Sequence, residues 1–117
     1  MTLEAILVAI LKQSSPRTFG DFAPPATERP YITFQQIGGD VISLLGREVP
    51  SKENAVMQVN AWADTRSEAK ALMKSVEAAL ILSTAFIAKP VAAAQSDFDA
   101  DVPVYCCRQD FSIWHDR

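Results

Sequence analysis

The chain has 117 residues, 49% of them hydrophobic and 21% charged, with a formal net charge of −3. That length fits one domain able to bury its own core, and the composition is that of an ordinary globular protein rather than a disordered or membrane-embedded one. The acidic balance, with no run of Lys or Arg, excludes recruitment of nucleic acid or of an anionic bilayer by bulk electrostatics.

The first segment, "MTLEAILVAILKQSSP", offers Thr2 as an N-cap, and then Leu3, Ile6, Leu7, Ile10 and Leu11 fall on a single stripe. The spacing predicts a helix over residues 3–13, stopped before Pro16. Its apolar run, Ala5 to Leu11, is too short to span a membrane, and no basic segment precedes it as in a secretion signal. From Pro16 to Pro30 there are four prolines and one glycine, which predicts an ordered loop or extended linker tacked to the core by Phe19 and Phe22. A connection of this length tends to make contacts or carry function.

"YITFQQI" (Tyr31 to Ile37) is β-branched, aromatic and alternating, and predicts a strand broken by Gly38, Gly39 and Asp40. Val41 to Leu45 reads as a short strand or hairpin arm, and Gly46 to Asn54 as polar turn material. "AVMQVNAWA" (Ala55 to Ala63) is a second strand with Ala55, Met57, Val59 and Ala61 on one face and Val56, Gln58, Asn60 and Trp62 on the other. Thr65 and Glu68 form the T-x-x-E pattern of a capping box. A helix over 66–82 follows, its buried stripe formed by Ala69, Leu72, Met73, Val76 and Leu80.

The remaining chain predicts an edge strand within Phe86 to Ala94, where Pro90 cannot donate to a ladder. An acidic turn follows over Gln95 to Asp101. The last strand runs from Val102 to Trp114, with Tyr105, Cys107, Phe111 and Ile113 on its more apolar face. The order α-β-β-α-β-β defines a single α+β domain over residues 1–117, a small antiparallel or mixed sheet of about four strands with two helices packed on one face. A loop or hairpin arm projects from it around residues 38–54.

Catalytic patterns are weak throughout. The strand-to-helix corner "ADTRSEA" lacks the glycines that a nucleophile elbow requires, and capping accounts for its residues. His115 is the only histidine. With Asp110 or Asp116 and a thiol of Cys106 or Cys107 it outlines a thiol/His-dependent hydrolase, although a residue so near the end is expected to fray. Arg108 alone is close enough in sequence to activate either thiol. Adjacent cysteines on a strand point to opposite faces, so a disulfide between them is disfavoured, and two buried strand cysteines are the simpler reading. A zinc site lacks ligands. "DFDAD" (Asp97, Asp99, Asp101) lacks the glycine and distal Glu of a calcium loop, and no phosphate-binding glycine motif is present. No cofactor is expected. The sheet face away from the helices, with Gln58, Asn60, Trp62, Arg108, Asp110, Ser112 and Trp114, outlines an interface or a peptide- or small-ligand-binding module, unless Trp62 and Trp114 only cap the edges of the core.

Taken in order, the helix "LEAILVAILK", the proline-rich loop into "PYITFQQI", the run "VMQVNAWADTRSEAKALMKSVEAAL" and the closing "YCCRQDFSIW" resemble the bacteriophage tail-completion family of tail terminators and head–tail joining proteins. The resemblance covers nearly the whole chain and carries no catalytic residue. It implies a virion protein of a phage or prophage, assembled in the host cytoplasm, that caps the head-proximal end of the tail tube. It further implies a homo-oligomeric ring, commonly of six subunits, whose partners are the major tail protein and the head connector. DNA would pass as cargo without specific binding, as suits an acidic subunit, and no membrane is implied. For such a ring the expected contact residues are Val41, Ile42, Leu44 and Leu45 on the arm, Trp62 on the sheet, and Phe19 and Phe22 on the proline-rich loop.

Overall fold

A computed structural model describes residues 2–117. Helix α1 spans Leu3–Leu11, two residues shorter than the periodicity predicts, because the chain passes into a turn at residues 12–14. The Thr2 hydroxyl accepts from the Ala5 amide at 3.2 Å, as the capping pattern requires. Strand β1 (Thr18–Gly20) lies inside the segment expected to be all loop. Strand β2 is Tyr31–Gly38, β3 is Lys52–Ala63, helix α2 is Arg66–Leu82, and β4 is Ile87–Pro90. Strands β5 (Gln95–Asp99) and β6 (Val104–Asp116) complete the chain.

The two helices stand as expected, but the sheet has six strands rather than four. Its order is β1-β2-β3-β6-β4, with β5 paired to β6 along the edge that β4 begins. Only β1 and β2 run parallel, so the sheet is mixed. The segment Gln95 to Asp99, expected to be an acidic turn, is a strand because its backbone pairs with residues 104–108 of β6; all five of its side chains are exposed. Strand β3 starts three residues before the predicted Ala55, where Lys52, Glu53 and Asn54 pair with Asp116, His115 and Trp114. That pairing also corrects the expectation that His115 frays, since it is held inside the longest strand. The Val41–Leu45 stretch forms no strand, and residues 39–50 have no regular ladder.

The sheet alternates as its sequence does. Ala55, Met57, Val59, Ala61 and Ala63 of β3, with Cys107, Phe111 and Ile113 of β6, face the helices. They pack there against Leu7, Ile10 and Leu11 of α1 and Leu72, Met73, Val76 and Leu80 of α2. Ser14, in the turn after α1, and Ser75 of α2 are joined by a hydroxyl–hydroxyl hydrogen bond of 2.8 Å. At the corner between β3 and α2, the Thr65 hydroxyl accepts from the Glu68 amide at 3.1 Å, an N-cap worth about 1 kcal/mol. Arg29 braces the same corner, its Nη1 donating to Asp64 Oδ1 and to the Pro103 carbonyl, each at 2.8 Å.

Candidate functional site

The arm leaves β2 at Gly39 and returns at Lys52. Gly39 has φ +154°, and a side chain there would collide with the Asn54 carbonyl, so only glycine lets the chain turn away so close to β3. Asn54, itself buried, fastens this root. Its Oδ1 accepts from the Asp40 amide at 2.8 Å, while its Nδ2 donates to Ser112 Oγ at 2.9 Å and to the Ile113 carbonyl at 3.3 Å. Beyond the root the apolar residues stand in solvent. Val41 is 90% exposed, Val49 74%, and Leu45 107%, as open as a free side chain; Ile42 and Leu44 are also exposed. Five exposed aliphatic side chains in nine residues form the kind of surface that a partner covers.

The other expected contact residues do not join this patch. Trp62 lies ten residues along β3 from Lys52, about 34 Å away at the strand repeat. It is half-buried, stacked on Tyr31 with ring centroids 6.0 Å apart, and its Nε1 donates to Thr33 Oγ1 at 2.9 Å. Phe19 is half-buried in β1, whereas Phe22, expected to tack its loop to the core, is 77% exposed. It stays outside because Asp21 takes a positive φ of 65° and the Phe22 amide bonds back to Gly20, turning the loop outward. Three apolar residues that the sequence reading missed stand at the arm's end of the molecule: Ile81 and Leu82 at the end of α2, and Ile87 at the start of β4. For Ile81 and Leu82 the signal is "LIL" at Leu80 to Leu82, since one helix stripe cannot bury three consecutive positions.

The open sheet face is polar, and its side chains pair with one another at Asn60. The Asn60 Oδ1 accepts from Arg108 Nε at 2.8 Å, with the Cys106 sulfur 3.9 Å away. Cys106 belongs to this face and Cys107 to the helix face, as alternation predicts, and both are free and buried. His115 lies nine residues from Cys106 on the same strand, about 31 Å away, and its Nδ1 sits 2.9 Å from the Asp116 carbonyl. The thiol and imidazole of the hydrolase reading are therefore not brought together. Among the described residues, no three His, Cys, Asp or Glu side chains converge as a metal site would require, and no helix is long and apolar enough to cross a membrane.

Burial pushes the Cys106 thiol up to about 11, overriding the favourable Arg108 charge beside it. Burial likewise raises Cys107 and the Tyr31 phenol. Each of these groups holds its proton more tightly when folded than when unfolded. For Cys106 that contribution to stability is therefore complete below the ordinary thiol value of 9.0 and is lost as pH rises towards 11. The urea midpoint should fall across that interval, and Cys106→Ala should fall less steeply. An equal slope in both proteins would show that Cys106 ionisation is not part of the loss.

Fold and surface together define a small α+β scaffold whose outstanding chemistry is an exposed apolar arm rather than a reactive cleft. Residues 4–116 match the family described as Tail completion protein gp17, and the chain belongs to that family, whose members are structural proteins of bacteriophage tails. Among solved structures, the chain is similar in fold to one described as "Virion of native gene transfer agent (GTA) particle", with a TM-score of 0.55 and 15% identity. The alignment covers 98% of this chain and 87% of that one. Comparison with curated proteins gives no match.

Proposed function

We propose that copies of this chain associate head to tail into a closed ring that caps the head-proximal end of a phage tail tube and joins it to the head connector. The observation that carries this reading is the arm, whose Val41, Leu45 and Val49 stand in solvent, uncovered by the other described residues. Membership of the tail-completion family supports the setting, and the fold likeness to a chain of a gene transfer agent virion supports an architecture suited to such particles. The protein acts by fitting, without turning over a substrate. The separation of Cys106 from His115 and the raised Cys106 thiol support that part of the reading. The net charge of −3 suits a subunit past which DNA slides without phosphate contacts.

Light scattering on the purified chain, alone and mixed with tail tubes, tests the ring. A ring-sized species, or tubes that stop growing once the protein is added, is the expected result. Tubes that lengthen unchanged beside a persistent monomer would remove the reading.

A further inference from the structure

The outer edge of the sheet is interrupted. Pro90 lies opposite Phe111 and Gln95 opposite Arg108, so the four residues 91–94 face only Gln109 and Asp110. This surplus of two residues bows the chain off the edge of β6 and leaves a groove of about 540 Å³ between the bowed segment and α2. Met73, Pro90, Ala93 and Cys107 give the groove an apolar lining, while Lys70, Lys74 and Glu77 set charges around it. Gln109, 4% exposed, lines it too: its Nε2 donates to the Ala92 carbonyl at 2.9 Å, and its Oε1 has no hydrogen-bond partner. No arm residue lines this groove, so the chain's own arm leaves it open.

We propose that the arm of one copy seats in this groove on the next copy, Leu45 entering against Met73 and Pro90 while Glu48 meets Lys70 and Lys74. Arg47, beside Glu48 at the arm's turn, then faces Glu77. The two surfaces match in kind: the arm carries exposed aliphatics next to one basic and one acidic residue, and the groove carries apolar walls next to two basic residues and one acidic residue. They are different patches of the same chain, which makes the contact heterologous, as a ring requires. The proposal rests on the ring reading and assigns its contact.

Charge exchange tests it. Glu48→Lys alone and Lys70→Glu/Lys74→Glu alone should each weaken assembly at least about tenfold, and combining them should restore it, while thermal melts show all variants folded. Lys70, Lys74 and Glu48 are exposed, so the substitutions leave the core intact. If the wild type assembles and the reversals have no effect, or the combination fails to restore assembly, the groove assignment falls and the ring stands. If the wild type never assembles with tubes, both fall.

Discussion

Leu45→Asp should abolish assembly and leave the subunit folded. Leu45 makes no contribution to its own core, being fully exposed, so the monomer's stability should change by no more than about 0.5 kcal/mol. In the assembled state the same side chain would be buried, a transfer worth about 1.5–3 kcal/mol for a leucine, and aspartate would add an unpaired charge. About 2 kcal/mol at one contact is roughly a thirtyfold loss of affinity, and closure repeats the loss at every interface. Sedimentation velocity should show monomer only, beside an unshifted thermal melt. Assembly equal to that of the wild type would exclude the arm from the contact.

Phe111→Ala should have the opposite signature, a loss of fold before any loss of surface. Phe111 is fully buried in β6, paired with Met57 of β3 on one side and Pro90 of β4 on the other. Removing it from the helix-facing core should cost about 3–5 kcal/mol, against a total stability of about 5–15 kcal/mol for a domain. A urea titration followed by circular dichroism measures this directly. A cost below about 1 kcal/mol would mean that the surrounding side chains collapse into the space.

Where local chemistry and packing agree, the sequence is legible. The Thr65 cap and the stripe from Ala69 to Leu80 define α2, and strict alternation from Ala55 to Ala63 assigns each β3 residue to its observed face. The two strands that escaped detection lack such a signal. "QSDFD" buries none of its side chains, and β5 exists because β6 has backbone groups to pair; "TFG" is only three residues long, held by parallel pairing to β2 and by Thr18 Oγ1 donating to the Ser15 carbonyl at 2.8 Å. The same distinction governs the surface. The arm's exposed aliphatics were readable because nothing nearby in sequence could cover them. The fate of Trp62 was not, since Tyr31 and Thr33, which hold it, are about thirty residues away and reach it only through the β2–β3 register. Alternation names a face but not what lies across it.

The fastening of Asp40 to Asn54, beside the close approach of Gly39 to the Asn54 carbonyl, bears on how quickly and how firmly such an arm can engage. A wholly loose tether would have to surrender the freedom of every residue on contact, at about 1–2 kcal/mol each. Here the departure point is already locked to the sheet, so that penalty falls only on the residues beyond it. The arm therefore behaves as a short leash on a fixed post: its aim is inherited from the rigid body, and its grip is set by the few residues at its tip.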